Sequence, residues 1–184
     1  FLESLKDGYM NGYFKLSEQF RTQDEPSFCG ISTLTMALNT LEIDPNKVWK
    51  GPWRWYHESM LNCCKPLNDI KRDGIVFKQF ICLAKCNGLN VVAKKTSKLH
   101  IYNDKKELTV KDRDCKGEMI SDIDTFRNDV ILACKAKNGP ILIVSYSRKE
   151  FKQTGDGHFS CIGGYNGSKD MILIMDVARF KYPP

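Results

Sequence analysis

The sequence predicts an α+β domain in which a helical first half precedes an antiparallel sheet. Between residues 29 and 41, four apolar side chains recur at intervals of three and four, which is the period of a buried helix face. Near the end of the chain, two apolar runs (158–165 and 171–177) flank Asn166-Gly167, a dipeptide typical of β-hairpin turns. We therefore expect one helix to pack against a hairpin.

The remaining elements follow from local patterns. Residues 1–20 are expected to hold a short helix and an extended stretch, and residues 23–28 form a polar loop around Pro26. Further helices are predicted over 67–73, 77–86 and from a Ser121/Asp124 capping box to Cys134, and further strands over 89–93 and 141–146. Residues 98–120 carry many charges without a steady period, which predicts a charged insertion loop.

Length and composition limit the function. The 184 residues suit a single domain, and the abrupt stop after Tyr182-Pro183-Pro184 predicts that it was cut from a longer polypeptide. No apolar run approaches the ~20 residues that a membrane-spanning helix needs. The net charge of +6 comes from scattered lysines and arginines without interleaved aromatics, which argues against nucleic acid. It indicates a solvated surface in the first place, and it would also suit an anionic small substrate.

The cysteine count is unusual. Eight cysteines lie at positions 29, 63, 64, 82, 86, 115, 134 and 161, without the spacing of a secreted disulfide framework. We expect reduced thiols in a cytosolic protein, most of them buried. Cys82 and Cys86 share one helical face, but a four-ligand zinc site needs two more ligands, and no CxxC or HxxxH pattern supplies them.

Cys29 is the candidate nucleophile, because it lies where the polar loop enters the helix. The positive end of the helix dipole favours a thiolate there. Gly30 would let a bulky substrate approach the backbone. Gln23, six residues upstream, can join the Cys29 backbone N–H as an oxyanion hole.

His158 and Asp176 are the candidate base and its orienting acid. His158 follows a glycine-lined turn, whereas His57 lies among aromatics and His100 in the charged segment, so both of those are expected to be structural or exposed. Asp176 ends an apolar strand, where an unpaired carboxylate would be costly. A three-residue hairpin loop would set His158 opposite Asp176, and a two-residue loop would place them on opposite faces. The sequence leaves the loop length open.

Six segments together resemble phytochelatin synthases of the eukaryotic type. They are EPSFCG (25–30), WKGPWRW (49–55), ESMLNCC (58–64), FKQTGDGHFS (151–160), IGGYN (162–166) and DVARFKYPP (176–184). The resemblance implies a papain-like fold, with Cys29, His158 and Asp176 as catalytic triad and Gln23 as oxyanion amide. The segment 98–120 is longer than the family usually has there.

The resemblance also implies the reaction. A γ-glutamylcysteinyl group is taken from glutathione as a thioester with release of glycine, and passes to glutathione or a growing phytochelatin. Cadmium or zinc is expected to enter as a thiolate complex of the substrate, with no metal in the catalytic site. Arg179 and Lys181 are candidate contacts for substrate carboxylates. The alternatives are a glutathione hydrolase and a thiol-rich metal-sequestering module without enzymatic activity.

Overall fold

The structure is a computed structural model that describes residues 1–96, 118–120 and 122–178. Within these ranges the helices are α1 (Leu2–Lys6), α2 (Tyr13–Glu18), α3 (Cys29–Thr40), α4 (Leu67–Asp73), α5 (Phe77–Cys86) and α6 (Ile123–Lys135). The strands are β1 (Lys94–Thr96), β2 (Glu118–Ile120), β3 (Ile143–Tyr146), β4 (His158–Asn166) and β5 (Met171–Met175), and two short 3-10 turns span Glu58–Met60 and Lys149–Phe151. This mixture of helices and a small antiparallel sheet is compatible with the predicted α+β class.

Helix α3 is the centre of the first half. Its apolar face lies in the core, with Ile31, Leu34 and Leu38 fully buried. Burial of each of these side chains contributes about 1.5–3 kcal/mol of stability. On another face Thr33 Oγ1 donates a hydrogen bond to the Phe159 carbonyl at 3.0 Å, which attaches α3 to β4. The helix that begins at Cys29 is thereby held against the strand that begins at His158.

Strand β4 is the middle strand of the three-stranded antiparallel sheet, which has the order β3-β4-β5. It is buried from His158 to Tyr165 because its two faces pack in different clusters. Phe159 and Cys161 pack in clusters that include α3 residues, whereas Ile162 and Tyr165 pack with α6. A strand covered on both faces reads as a nearly continuous apolar run, as this one does.

The hairpin between β4 and β5 differs from both loop lengths considered from the sequence. Asn166 pairs with Met171, so the turn contains the four residues 167–170. Further along, Ile162 pairs with Ile174 while Gly164 pairs with Leu173, and Gly163 is therefore an extra residue in β4. This β-bulge is a feature that the sequence argument did not include.

Four cysteines depart from the expected reduced state. The structure joins Cys63 to Cys86 and Cys64 to Cys82, with Cα–Cα distances of 6.7 and 6.2 Å. Adjacent cysteines can pair in this way because their partners are one helical turn apart in α5 and share a face. Cys29, Cys134 and Cys161 are free thiols, as expected; Cys115 lies outside the described residues.

The other predictions vary in outcome. Helices 67–73 and 77–86 agree with α4 and α5, whereas the strand expected at 89–93 is replaced by β1, which pairs in parallel with β2. The proposed insertion therefore extends too far, because 118–120 is a strand; residues 97–117 lie outside the described part. The N-cap of α6 is Asp122, whose carboxylate accepts from Thr125 N at 2.7 Å, rather than the expected Ser121. None of the described helices has the length and hydropathy to span a membrane.

Candidate active site

Cys29 is the first residue of α3 and is half-buried. The N-cap, Phe28, makes no side-chain capping bond to the backbone N–H groups at the start of this helix. Gly30 does not open the backbone to substrate as expected. A Cβ there would lie 2.5 Å from Ile75 Cδ1, so the glycine instead admits the Ile75 side chain against α3.

His158 and Asp176 are in direct contact. His158 Nε2 lies 2.6 Å from Asp176 Oδ1, and the same oxygen accepts the Ala178 N–H at 2.8 Å. Because Nε2 is taken by the carboxylate, Nδ1 is the imidazole nitrogen left for Cys29. The His158 side chain is 9% exposed, so solvent competes little for either bond.

The β-bulge decides that these two side chains share a face. Near the bulge Cys161 pairs with Met175, so Asp176 continues the strand opposite Ser160. His158 is two positions further along β4, which is a diagonal neighbour on the same face. If the register at the turn continued unbroken, Asp176 would lie opposite Cys161, and His158 would point to the other face of the sheet. The extra residue Gly163 corrects the register by one.

Arg148 is a member of the site that the sequence argument missed. It is 2% exposed, and its Nη2 lies 2.7 Å from His158 Nε2 and also forms a very short ion pair with Asp176 Oδ2. The residue follows β3, whose last residue Tyr146 pairs with His158. In the sequence, Arg148 and the neighbouring Lys149 both look like surface cations. Only the pairing of β3 with β4 shows that Arg148 lies beside His158.

The three predicted residues shift one another's protonation. Burial opposes ionisation of Cys29, but hydrogen bonds from His158 and from the Phe159 backbone outweigh it, and the pKa of the thiol lies below its ordinary value. Burial lowers the pKa of His158, but the hydrogen bonds to Asp176 and Cys29 have the larger effect, and the pKa lies above its ordinary value. Burial raises the pKa of Asp176, but the bond to His158 and the Ala178 N–H bring it below its ordinary value. The arrangement favours a thiolate, an imidazolium and a carboxylate.

A cleft of about 620 Å³ opens over these residues. Its walls are residues 22–27, 73–75 and 154–157, together with Cys29, Arg148, His158 and Ala178. The other charged side chains in this described lining are carboxylates, and each has a basic partner: Arg21 for Asp24, Lys71 for Glu25, Arg72 for Asp73 and Lys149 for Asp156. The walls are therefore close to neutral. The predicted substrate contacts Arg179 and Lys181 lie outside the described residues.

Gln23 lines the same cleft, but its amide is directed into the loop. Its Nε2 donates to the carbonyls of Glu25 at 2.8 Å and Pro26 at 2.9 Å, and its backbone N–H donates to Val177 at 3.0 Å. Both amide hydrogens are thus used in holding the loop. The oxyanion role of Gln23 stays a prediction that requires one of these bonds to be exchanged.

Glu58 also holds this loop, through a contact that no sequence pattern predicted. The side chain is fully buried, and its Oε2 accepts the Asp24 N–H at 3.2 Å. Burial, with a smaller contribution from the Asp24 charge, raises the pKa of Glu58 to about 7. His57 stacks on Trp49 at 5.3 Å and lies 3.3 Å from the Asp24 carboxylate, which agrees with the structural role expected for it.

A family model described as phytochelatin synthase matches residues 1–184. A Lotus japonicus protein named glutathione gamma-glutamylcysteinyltransferase 3 is 48% identical over 184 residues, covering 100% of this chain and 34% of the relative. The Schizosaccharomyces pombe glutathione gamma-glutamylcysteinyltransferase is 46% identical over 183 residues (100% and 39%), and Arabidopsis thaliana glutathione gamma-glutamylcysteinyltransferase 1 is 47% identical over 184 (100% and 33%). The chain thus spans about a third of the length of these relatives.

Proposed function

The chain belongs to the phytochelatin synthase family, and from this premise we propose that it is the papain-like catalytic domain of a γ-glutamylcysteine dipeptidyl transpeptidase. The observation that carries the proposal is the thiol of Cys29 at a helix N-terminus, with a lowered pKa and the His158–Asp176 pair beside it. We propose glutathione as its substrate, because the names of the relatives include it. We propose a cytoplasmic enzyme, because the chemistry needs free thiols.

In the first half of the reaction, the Cys29 thiolate attacks the carbonyl of the Cys–Gly peptide bond in glutathione. His158, protonated in the ion pair, gives its proton to the leaving nitrogen, and glycine departs. The γ-glutamylcysteinyl group remains on Cys29 as a thioester. Asp176 holds the imidazole orientation through Nε2 and stabilises its positive charge, and Arg148 fixes the carboxylate in turn.

In the second half, the α-amino group of another glutathione or of a phytochelatin attacks the thioester. His158 accepts the proton from this amine, a new peptide bond forms, and the Cys29 thiolate is restored. The product is one γ-glutamylcysteine unit longer than the acceptor. The acceptor amine and water compete to attack the thioester, and the near-neutral walls of the cleft favour neither by charge. Occupancy of the acceptor position therefore decides between transfer and hydrolysis.

The oxyanion formed in both halves needs donors. We assign the Cys29 backbone N–H to it, since this group lies at the unsatisfied start of α3. Gln23 is the second donor if its amide gives up the bond to Glu25 or Pro26 when substrate enters. Arg179 and Lys181 remain our candidates for the substrate carboxylates.

The metal is proposed to enter with the substrate, as a cadmium or zinc bis-thiolate of glutathione. Cys29 and His158 are engaged with each other, and Asp176 is engaged with His158 and Arg148, so the described groups of the site leave no set of ligands for a resident ion. Blocked thiol groups on the substrate should therefore replace the metal. S-alkyl glutathione is expected to be a substrate without added cadmium, and a continued stoichiometric requirement for cadmium would overturn this part of the proposal.

The function is tested by incubating the full-length protein with glutathione and cadmium and separating the products by mass. Peptides extended by γ-glutamylcysteine units, with equimolar glycine, are expected. Glycine and γ-glutamylcysteine alone would identify a hydrolase instead. Cadmium binding without glycine release would identify a metal-sequestering module, and both results would reject the transferase.

A further inference from the structure

Four cysteine sulfurs meet on the side of α5 that faces the loop after the 58–60 turn. Cys63 and Cys64 are consecutive in that loop, and Cys82 and Cys86 are one helical turn apart. The Sγ atoms of Cys63, Cys64 and Cys86 all lie within 4.8 Å of one another, and that of Cys82 is bonded to Cys64. All four sulfurs thus occupy one small volume, well apart in sequence from the catalytic Cys29.

In the sequence, Cys82 and Cys86 lack the two further ligands that a four-ligand zinc site needs. The fold supplies them, since it brings Cys63 and Cys64 to the same face of α5. We propose that these four cysteines form, when reduced, a tetrathiolate site for one soft divalent cation of the zinc and cadmium class. The paired disulfides are the oxidised, metal-free state of the same cluster.

The spacing fits a tetrahedral site. Metal–sulfur bonds of about 2.3 Å place the sulfurs of a tetrahedron about 3.8 Å apart. Cys63 Sγ and Cys64 Sγ are 4.0 Å apart, and Cys64 Sγ lies within 4.8 Å of Cys86 Sγ. The sulfurs of the Cys63–Cys86 and Cys64–Cys82 pairs are bonded here and have to separate on reduction. Rotation of exposed side chains covers the difference, because Cys63, Cys82 and Cys86 are all at the surface. The same exposure gives a cation access from solvent.

The surroundings favour a charged thiolate cluster. Asn87, the residue after α5, places Nδ2 3.7 Å from Cys63 Sγ, as an N–H donor to sulfur. Such donors outside the ligand set orient thiolates and disperse their charge. A second bond from Nδ2 to the Leu83 carbonyl at 2.7 Å fixes the amide. The donor is therefore held in place whether or not a cation is present.

The chemistry balances with a small thiol as reductant. Two disulfides take up four electrons and four protons from four molecules of glutathione, which leave as two molecules of glutathione disulfide. The four protein thiols then lose four protons as they bind one divalent cation, so the cluster carries two negative charges. Cation binding therefore competes directly with disulfide formation.

A cation here would fix α5 at the edge of the core. Phe80 of α5 stacks on Phe159 with ring centroids 4.7 Å apart, and Leu83 is fully buried in the cluster that includes α3. Phe159 is the neighbour of His158. The site is thus connected by packing to the candidate active site, although none of its cysteines lines the cleft.

The test is cadmium titration of the reduced full-length protein, in a Cys29→Ala background so that the nucleophile takes no ion. Cys82→Ala/Cys86→Ala should bind one cadmium ion fewer per chain than this background. Cys134→Ala/Cys161→Ala removes two thiols elsewhere and should bind the same number as the background. Equal stoichiometry in the cluster variant and the background would overturn the proposal.

A second measurement needs no cluster variant and therefore does not depend on its folding. In the same reduced background, cadmium should protect Cys63, Cys64, Cys82 and Cys86 together from alkylation, read peptide by peptide by mass spectrometry. Alkylation of the four at an unchanged rate would overturn the site. Disulfides that persist in excess reduced glutathione would overturn it as well, since the cluster would then be a permanent pair of crosslinks.

Discussion

One free thiol, Cys29, lies beside the central strand β4 and another, Cys161, lies within it, and the two differ in burial and in pKa. Cys29, at the start of α3, is half-buried and has a pKa below its ordinary value because His158 bonds to it. Cys161, three residues from His158 inside β4, is fully buried, and burial without a cationic partner raises its pKa to about 12. Cys134 in α6 behaves as Cys161 does, with a pKa of about 11. Burial therefore keeps a thiol protonated unless a base that can hold the proton lies beside it.

The largest expected effect separates these thiols directly. Cys29→Ser should lower glycine release from glutathione by roughly 10³-fold or more, because a serine hydroxyl does not ionise beside His158. Cys161→Ala should keep most of the activity, since that thiol stays neutral in the core. Glycine release with unchanged circular dichroism measures both. Comparable turnover in the two variants would misplace the nucleophile.

The second effect concerns the bulge that sets His158 beside Asp176. A Cβ on Gly163 would lie 2.7 Å from Met175 Sδ and 3.0 Å from Met175 Cγ, and Met175 directly precedes Asp176. Gly163→Val is therefore expected to move Asp176 and lower kcat/KM by about 10²-fold.

The matched control is Gly167→Val, in the turn of the same hairpin. A Cβ there has only ordinary contacts, the nearest at 3.7 Å, so activity should stay near that of the parent. Equal losses in both variants would mean that the hairpin as a whole, rather than the register at Gly163, sets the site.

The third effect tests whether Arg148 holds the acid. Arg148→Met removes a buried cation from the Asp176 carboxylate, and breaking such a pair costs about 3–5 kcal/mol of stability. We expect kcat to fall about tenfold, because Asp176 keeps its bond to His158. The pKa of Asp176 should rise, so the acidic limb of the pH–rate profile should move to higher pH.

Lys149→Met serves as the control for Arg148, since Lys149 is an adjacent cation whose partner, Asp156, is at the surface. Its profile should match that of the parent. An unchanged acidic limb in Arg148→Met would limit Arg148 to a role in stability.

These contrasts also mark how far sequence reasoning reaches. The period of α3 and the hairpin signal at Asn166-Gly167 located the elements that carry Cys29, His158 and Asp176, and those residues meet in the structure. The loop length and the strand register could not be predicted. A four-residue turn followed by a one-residue bulge leaves no local signature beyond two adjacent glycines. Arg148 could not be identified from the sequence, because its contact with His158 and Asp176 depends on the pairing of the strands.

The cysteine cluster could not be predicted from the sequence for a related reason. Cys63 and Cys64 are 23 and 18 residues from their partners in sequence, and nothing between them fixes the approach of the loop to α5. Spacing rules detect ligands that share a local motif, such as Cys82 and Cys86 on one helical face. They do not detect ligands that tertiary packing brings together.

The smallest expected effect concerns Glu58, and it tests whether the carboxyl group of this residue is charged or acts only as a hydrogen-bond acceptor. Glu58 holds the Asp24 N–H beneath the cleft, and its folded pKa of about 7 lies above the ordinary 4.5. A raised acid pKa means that folding favours the protonated form. The stability that this form contributes is full below pH 4.5 and is lost as pH rises from 4.5 through about 7. Glu58→Gln keeps an acceptor for Asp24 without a charge, so the free energy of unfolding should vary less over this interval, by about 2–3 kcal/mol. Urea titrations at several pH values measure the slope; Glu18→Gln, at an exposed position, is the control. A slope unchanged by Glu58→Gln would show that Glu58 stays ionised in the folded protein.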